Sequence, residues 1–438
     1  MRQLCRARLS GRGPTRGALA LAALAGLACG HPNDAEPPRP CDPGTRRACD
    51  LDGESGGDLC TDARAWSGVC EVEPEADCDP GICETTGLCR RREALVVETY
   101  GPGQPCLCWS GARFGVGWSS GETMDASHYF ATLTPEGYLA SEPQRTVHLY
   151  TPQDSHCAWS GEVFGATVDI WEAFPFRAWL AVVGPDGDVV SSDWLGGYPP
   201  EMPTPSLIRA ADDGLWASGN REFRKLARGG LETDESFSAS FPEGSRASDV
   251  RPLGWAWTGM EFLVVWGYRY NSGFSDELYA MRHARNGDPI GAEVQLEANR
   301  ATKPSVVWTG ENYAVAWGRR ATATEGEQLR FARLGADGAL LEPVLVLTTA
   351  DGAAWSGPSL VWTGAGYVVF WRDQLDGVAV MRALRLDADG SPRPESLVLS
   401  QPGRGFAMHP QAVWAGNAVA VAWEQDVGIE ATDYKTRL

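Results

Sequence analysis

The sequence lacks the residue spacings that usually build a metal site or a phosphate-binding loop. Its six histidines are scattered, and none lies two or four residues from another, which argues against a metal pair on a helix or hairpin. Only Cys106 and Cys108 form a close cysteine pair, whereas a zinc site needs repeated close pairs. No glycine-rich loop ends in Gly-Lys-Ser/Thr. We therefore predict no metal ion and no cofactor.

A positive net charge is also missing. The chain has 38 Lys and Arg against 57 Asp and Glu, a net charge of −19. Such a surface repels nucleic-acid phosphates and anionic lipid headgroups. We predict no nucleic-acid partner, and we attribute the acidity to a solvated exterior. No stretch after residue 28 reaches 18 consecutive apolar residues, so we expect membrane contact only through the N-terminus.

Residues 1–28 have the pattern of a secretory signal peptide. Five arginines precede the short apolar run 17–28, which is too short for a permanent membrane span. The junction Ala28-Cys29-Gly30 resembles a bacterial lipoprotein cleavage site, which implies that Cys29 becomes a lipidated N-terminus. Cleavage there leaves 33 basic against 57 acidic residues, a net charge of −24. We expect a lipoprotein of the outer membrane or cell surface; the alternative is a periplasmic or secreted protein without lipid.

Ten cysteines of the mature chain are crowded into its first third, as in exported proteins stabilised by disulfides. They are Cys41, Cys49, Cys60, Cys70, Cys78, Cys83, Cys89, Cys106, Cys108 and Cys157. We predict a Pro-rich tether over 29–40, a disulfide-rich module over 41–91, and a second domain over 92–438. Seven cysteines in the module is an odd number, so we expect at least one to pair with Cys106, Cys108 or Cys157.

A repeat dominates the second domain. Five segments read Trp-Ser/Thr-Gly, two residues and an aromatic residue, and a sixth reads Trp-Ala-Gly. Their first residues are Trp109, Trp159, Trp257, Trp308, Trp362 and Trp414. A period near 50 residues indicates stacked supersecondary units. We interpret each repeated Trp as a packing element between units; the alternative is a set of exposed rings that stack on sugars.

Each copy has the pattern of four short strands. Around Trp308, residues 304–308, 313–317, 328–334 and 340–347 alternate in polarity, with turn residues between them. Four antiparallel strands in about 50 residues is the unit of a β-propeller blade. The 98-residue gap between Trp159 and Trp257 hides a degenerate copy, in which Arg209 takes the place of Trp308.

We therefore predict an all-β protein with a seven-bladed propeller. The last copy ends after three strands, and residues 93–100 resemble the fourth strand of the preceding copy at 395–402. We predict that this N-terminal strand completes the seventh blade and closes the ring, which would leave no open sheet edge.

The pattern Trp-Thr-Gly-x-x-Tyr-x-Val-x-Trp resembles Trp-rich repeats of uncharacterised secreted proteins and lipoproteins of Gram-negative bacteria. This resemblance covers 92–438 and implies a β-propeller without naming a catalytic residue. We expect a non-enzymatic binding or scaffolding protein of the cell envelope, whose partner is a protein or a glycan. The alternatives are a propeller hydrolase or lyase acting on a polysaccharide, and a passive spacer.

Any functional site should lie where the repeat is interrupted, because loops carry most sites on such scaffolds. The interruptions are residues 119–129, 196–205, 268–277 and 319–328. We predict no catalytic residue.

Overall fold

The computed structural model describes most of the second domain and short N-terminal strand segments. The described range is 104–426, except for 123–124, 150–151, 171–176, 195–206, 212–213, 220–221, 227–228, 230–231, 242–249, 271–273, 323, 350–355 and 401–406, together with 434–437. The N-terminal strands are Ala20–Leu21, Gly26–Leu27, Arg46–Leu51, Glu54–Cys60, Trp66–Val72, Ala76–Asp77 and Arg90–Arg91. The side chains of the predicted disulfide module lie outside this description.

Six consecutive four-stranded sheets follow, and within each one the strands pair antiparallel in chain order. Blade 1 has Cys106–Trp109, Phe114–Glu122, Asp125–Leu133 and Gln144–Leu149; blade 2 has Pro152–Trp159, Phe164–Ile170, Arg177–Val183 and Val189–Trp194. Blade 3 has Leu207–Ala211, Gly214–Gly219, Glu222–Leu226 and Glu232–Ser238; blade 4 has Val250–Trp257, Glu261–Tyr270, Phe274–Ala284 and Pro289–Glu297. Blade 5 has Ser305–Trp308, Asn312–Arg319, Gln328–Gly335 and Leu345–Thr349; blade 6 has Ser359–Trp362, Gly366–Leu375, Val378–Asp387 and Leu397–Val398. The fold is an all-β propeller, as the repeat predicts.

The prediction of seven complete blades is wrong: the structure has six. The last repeat copy forms a smaller C-terminal sheet of three antiparallel strands, Ala407–Trp414, Val419–Asp426 and Tyr434–Arg437. The outer edge of this sheet pairs in parallel with the two-residue strand Ala20–Leu21. The predicted closing strand at 93–100 lies outside the described residues.

Apolar clusters between neighbouring sheets hold the ring together. One cluster lies at each junction from blade 1 to blade 6. A larger one joins Phe370 of blade 6, Trp423 of the C-terminal sheet and Trp118 of blade 1. The C-terminal sheet is therefore wedged between blades 6 and 1 and completes the circle. A fully buried indole such as Trp317 contributes about 5 kcal/mol, before entropy, for about 200 Å² removed from water.

The Ser/Thr-Gly element of the repeat is a hydroxyl-capped turn between the first and second strands. Thr309 Oγ1 donates to the carbonyl of Asn312 at 2.9 Å and accepts from its amide at 3.0 Å. Gly310 follows at φ 99°, the left-handed region that glycine enters without strain. Both hydroxyl bonds recur at Ser110, Ser160 and Thr258. Thr363 repeats the bond to the carbonyl, that of Gly366, at 2.9 Å. In the C-terminal sheet Ala415 keeps only the backbone bond to Ala418, at 2.9 Å.

The first Trp of each full copy packs across the strand pair onto the aromatic residue that follows the turn. The five ring pairs have centroid distances of 4.4–4.7 Å and interplanar angles of 45–55°. These indoles are partly exposed, and each also packs against the apolar cluster shared with the preceding sheet. This arrangement explains the repeat as a packing element.

Blade 3 departs from the predicted register. Its turn closes with the pair Ala211 and Gly214, so Ala210 stands opposite Leu215 where Trp308 stands opposite Tyr313 in blade 5. Arg209 is one residue earlier and pairs with Trp216. The prediction that Arg209 replaces the repeated Trp is therefore wrong by one position, because this turn lacks the Ser/Thr-Gly residues that set the register elsewhere.

The predicted link from the N-terminal module to the blades is also wrong. Cys108 of blade 1 and Cys157 of blade 2 form a disulfide with each other, and Cys106 is a buried free thiol. Burial raises the pKa of this thiol to about 12. The covalent link therefore joins blades 1 and 2, because their innermost strands bring these two side chains together. Pairing of the other seven predicted disulfide cysteines lies outside the described side chains.

Candidate functional site

The two ends of the ring differ in how regular they are. Antiparallel strands alternate in direction, so the turns between strands 1 and 2 and between strands 3 and 4 lie at one end, which we call the turn face. The loops between strands 2 and 3 and the connections between blades lie at the other end, the loop face. The repeated Ser/Thr-Gly turns belong to the turn face.

Three of the four predicted interruptions of the repeat belong to the loop face. Residues 119–129 and 268–277 are the ends of long hairpins between strands 2 and 3. Residues 319–328 connect the same two strands of blade 5, where Arg319 pairs with Glu325 at 2.5 Å. Residues 196–205 connect blade 2 to blade 3 and lie outside the described residues. The topology thus places the variable part of the chain at one end of the ring.

An ion pair crosses the ring at this end. The Lys303 ammonium contacts the Asp154 carboxylate. Asp154 lies near the start of the first strand of blade 2, whereas Lys303 lies in the connection that leads into blade 5. Blades 3 and 4 separate these two elements along the ring. The contact therefore spans the central axis and marks the mouth of the channel on the loop face.

A third side chain, that of His409, occupies the same repeat position as Asp154 and Lys303. Asp154, Lys303 and His409 each lie five residues before the first Trp of their copy. His409 adopts φ 56°, which is uncommon for a residue other than glycine, and its strand shifts register there. Its Nδ1 lies 2.7 Å from Oε2 of the buried Glu424. The irregular backbone thus carries a side chain of the C-terminal sheet to the same mouth.

His156 and Arg209 lie farther from the loop face, on the first strands of blades 2 and 3. His156 lies two residues beyond Asp154, and Arg209 lies in the first strand of blade 3. Burial lowers the pKa of His156 to about 3; Asp154 opposes this shift, and Arg209 and Lys303 reinforce it. The imidazole is therefore neutral at pH 7. Burial also lowers the pKa of Arg209, but a guanidinium stays charged in proteins.

Asp154 is the anionic centre of this group. Burial by itself would raise the pKa of its carboxyl, but Lys303, His156 and His409 outweigh burial, and the pKa lies below its ordinary value. We call Asp154, His156, Lys303 and His409 the mouth cluster. Its members come from three separate parts of the ring and bring one carboxylate, one ammonium and two imidazoles together.

A second polar group lies beside the mouth but is closed to solvent. His128 contacts Ser155 Oγ through Nε2 at 3.0 Å and Thr146 Oγ1 through Nδ1 at 2.7 Å. All three residues are buried, and burial lowers the pKa of His128 to about 3. A hydroxyl–imidazole pair can act as a nucleophile and base when a substrate reaches it. Here neither His128 nor Ser155 has any exposed surface, so the group fastens blade 1 to blade 2.

Sequence reasoning did not find the mouth cluster. A usable signal was present, because one repeat position carries Asp154, Lys303 and His409 while Pro252 and Gly357 occupy it elsewhere. The sequence also contains the serine nucleophile pattern Gly-x-Ser-x-Gly twice, at 53–57 and at 117–121, the second within the strand Phe114–Glu122. That motif requires a sharp turn from a strand into a helix, whereas Ser55 lies in the strand Glu54–Cys60, opposite Asp50.

Two kinds of site are not found in the described part of the chain. No group of three or more His, Cys, Asp or Glu side chains there is placed to hold a metal ion. No helix there is both long and apolar enough to cross a bilayer.

Comparison with known proteins finds similarity of structure alone. No protein-family model matches the chain, and no curated protein matches it. Among solved structures, the Dos1 propeller has 10% identity and a TM-score of 0.47, over 75% of this chain and 80% of that chain. A Lactobacillus plantarum protein has 14% identity and a TM-score of 0.45, over 77% and 92%. The native arabinanase Arb43A of Bacillus subtilis has 9% identity and a TM-score of 0.34, over 54% and 96%. These similarities bear on the fold alone.

Proposed function

We propose that this protein is a non-enzymatic binding protein of the bacterial cell envelope, whose ligand occupies the channel mouth on the loop face. The observation that carries the proposal is the Asp154–Lys303 contact across the axis. It brings charged groups of distant repeats together at the end where the repeat is interrupted. Concave sites with a few convergent polar groups are the usual ligand sites of proteins.

The charge state of the cluster favours binding over hydrolysis. A glycosidase needs one carboxylic acid that stays protonated to act as general acid, beside a second carboxylate. Lys303, His156 and His409 hold the pKa of Asp154 below its ordinary value, so this carboxyl is ionised at neutral pH. An ionised, paired carboxylate suits the recognition of a polar ligand. A hydrolase or lyase remains the second candidate, because Glu424 brings another carboxylate to His409.

The test is a ligand screen on the whole mature chain. We expect a glycan array or a library of small polar metabolites to yield a ligand that raises the unfolding temperature and is recovered chemically unchanged. Asp154→Asn and His409→Gln should lose this effect, whereas Arg113→Gln, a change on the turn face, should keep it. Conversion of the ligand by wild type but not by Asp154→Asn would identify an enzyme. The absence of any ligand in both libraries would favour a passive spacer.

The proposed location rests on the N-terminal sequence. Mass spectrometry of the native protein should find Cys29 as the first residue, carrying diacylglycerol. Cys29→Ala should release the protein from the membrane fraction. An unmodified N-terminus at or near residue 29 would indicate plain export instead.

Removal of residues 1–28 also uncovers the edge of the C-terminal sheet that pairs with Ala20–Leu21. We propose that residues 93–100 take this place in the mature chain, because they resemble 395–402 at the end of the preceding copy. Their amides should then be protected from hydrogen exchange to the same degree as those of Tyr434–Arg437. Exchange at the rate of an unfolded peptide would contradict this proposal.

A further inference from the structure

Two arginines of the loop face are held next to each other where the chain enters blade 5. Arg300 lies in the connection from blade 4, and Arg320 directly follows the second strand of blade 5. The Arg320 amide donates to the carbonyl of Arg300 at 3.0 Å. Nη1 of Arg300 donates to the carbonyl of Ala321 at 2.7 Å. The guanidinium of Arg300 is therefore fixed beside the 319–328 interruption of the repeat, against the backbone that carries Arg320.

The charged groups around this contact act on one another. Burial lowers the pKa of Arg320; Glu327 opposes this shift and Arg300 reinforces it. Burial also lowers the pKa of Arg372, which lies towards the loop-face end of the second strand of blade 6, and Glu327 again opposes the shift. A guanidinium stays charged in proteins. One carboxylate thus lies near two arginines, and Arg300 adds a third positive charge. We call Arg300, Arg320, Arg372 and Glu327 the arginine site.

The described residues of the arginine site carry a surplus of two positive charges on an otherwise acidic protein. Three guanidinium groups stand against one carboxylate, whereas the whole chain has a net charge of −19. The adjoining ion pairs are balanced, since Arg319 is paired with Glu325 and Arg330 with Glu297. Repulsion between like charges destabilises a compact state. A bound anion would relieve that repulsion at this place.

The backbone of Arg300 gives a second, independent indication of a binding role. Its φ of 61° lies in the left-handed region, where glycine and asparagine are common and a long side chain is rare. Strained residues of this kind cluster at ligand clamps and active sites. The Arg300 side chain is exposed, so packing does not require an arginine there. The strain is therefore best explained by what the guanidinium binds.

We propose that the arginine site binds a phosphate monoester. Guanidinium forks match phosphate oxygens in pairs, and a phosphate monoester carries about two negative charges near pH 7. It therefore balances the surplus, whereas a carboxylate would leave one positive charge. This inference goes beyond the proposed function, because the arginine site shares no residue with the mouth cluster. The same phosphate group occurs in sugar phosphates and in the headgroup of phosphatidic acid.

The experiment is isothermal titration calorimetry of the full mature chain, at constant ionic strength, with three sugars. Glucose 6-phosphate, glucuronate and glucose share the ring and carry about two, one and no negative charges at neutral pH. We expect glucose 6-phosphate to bind at least about tenfold more tightly than glucuronate, and glucose not to bind. Co-sedimentation with phosphatidylcholine vesicles, with and without phosphatidic acid, identifies a lipid as the source if the protein sediments only with phosphatidic acid.

Variants connect the binding to the arginine site. Arg300→Gly removes the guanidinium and suits the left-handed backbone, so phosphate binding should weaken about tenfold or more while the unfolding temperature of the free protein does not fall. Arg320→Gln should weaken binding to a similar degree. Arg393→Gln is the matched control, because it removes a partly exposed arginine that pairs with Asp387 on the turn face. It should bind phosphate as wild type does.

The outcomes separate this inference from the proposed function. Equal affinity for glucose 6-phosphate and glucuronate would overturn the assignment of phosphate. Phosphate binding that is unchanged in both Arg300→Gly and Arg320→Gln would overturn the site. Failure of the phosphate sugar and of the phosphatidic acid vesicles to bind would overturn the inference as a whole. None of these results bears on the mouth cluster, which the separate ligand screen tests with its own variants.

Discussion

Asp154 and Lys303 are 149 residues apart in the chain, yet their side chains are in contact across the axis of the ring. The Lys303 side chain is 51% exposed and that of Asp154 is 18% exposed. An ion pair so close to water stabilises a fold by about 0–1 kcal/mol. Its main consequence is therefore positional: it holds a cation and an anion over the entrance of the channel.

Removal of Lys303 should reverse the lowering of the pKa of Asp154. Burial raises the pKa of this carboxyl, and Lys303 is the first of the groups that lower it. We expect Lys303→Met to raise the pKa of Asp154 towards or above its ordinary value. The measurement is a carbon-13 NMR titration of Asp-labelled protein, with Asp154→Asn to assign the signal.

The control for this titration is Lys225→Met, which removes a lysine that pairs with another carboxylate, that of Glu235 in blade 3. It should leave the pKa of Asp154 unchanged. An equal pKa in wild type and Lys303→Met would show that the ion pair does not form in solution.

The C-terminal sheet can be stabilised by restoring the hydroxyl of its turn. Ala415 already makes the backbone bond to Ala418 that the other copies make. In Ala415→Thr the new hydroxyl should bond to the backbone of residue 418 as Thr309 bonds to that of Asn312. We expect a gain of about 0.5–1.5 kcal/mol in the free energy of unfolding, measured by urea denaturation.

Ala415→Val is the matched control, since valine has the branched shape of threonine without the hydroxyl. It should give no gain. A gain of equal size in both variants would mean that side-chain shape, and not the hydrogen bond, stabilises the turn.

Loss of the disulfide between blades 1 and 2 should destabilise the ring at its innermost strands. Cys108 and Cys157 are separated by 49 residues, and releasing a loop of this length costs about 4 kcal/mol in the chain-entropy description. We expect the double variant Cys108→Ser/Cys157→Ser to unfold at a clearly lower temperature in calorimetry.

Cys106, a free thiol next to the disulfide in sequence, allows the predicted cysteine pairing to be tested chemically. Its thiol is buried, with a pKa raised to about 12, so iodoacetamide should modify it only after unfolding. Peptide mapping under non-reducing conditions should recover Cys108 joined to Cys157. Recovery of Cys106 joined to a cysteine of 41–91 would contradict the pairing described here.

Stability should fall in acid because two histidines are buried in the neutral form. Burial lowers the pKa values of His128 and His156 to about 3, whereas the unfolded chain binds protons at the ordinary value of about 6.5. Between these values the unfolded state binds more protons, so stability is present above pH 6.5 and is lost as the pH falls. The expected slope is about 1.4 kcal/mol per pH unit for each histidine.

Urea denaturation between pH 7 and pH 4.5 measures this slope. His128→Gln should reduce the slope by the contribution of one histidine, about 1.4 kcal/mol per pH unit, because glutamine does not titrate. His148→Gln is the control, since His148 contacts Ser127 from a more exposed site. An unchanged slope in His128→Gln would mean that His128 is protonated in the folded protein.

Much of the blade architecture was predictable because each blade is local in sequence. The first three strands predicted around Trp308 are found as Ser305–Trp308, Asn312–Arg319 and Gln328–Gly335, whereas the fourth, predicted over 340–347, is found as Leu345–Thr349. A hydroxyl followed by a glycine defines a turn within four residues, and alternation defines the strands on either side. Arg209 shows the limit of this reasoning, because a shorter turn moved the register by one residue without a clear signal.

The mouth cluster was not predictable from local pattern. Asp154, Lys303 and His409 are ordinary polar residues near the starts of strands, and no motif joins them. They lie close together only because the ring closes in space. The count of complete blades and the partner of Cys108 depended on the same closure, because sequence cannot say which distant ends meet.

The sequence by itself determined that this protein is a chain of antiparallel blades, because hydrogen-bonded turns and alternating strands act over a few residues. The tertiary structure alone decided which side chains face one another across the axis. Lys303 can contact Asp154 only when blades 2 and 5 stand on opposite sides of a channel. The charges of that channel, which carry the proposed function, are a property of the closed ring and of no single repeat.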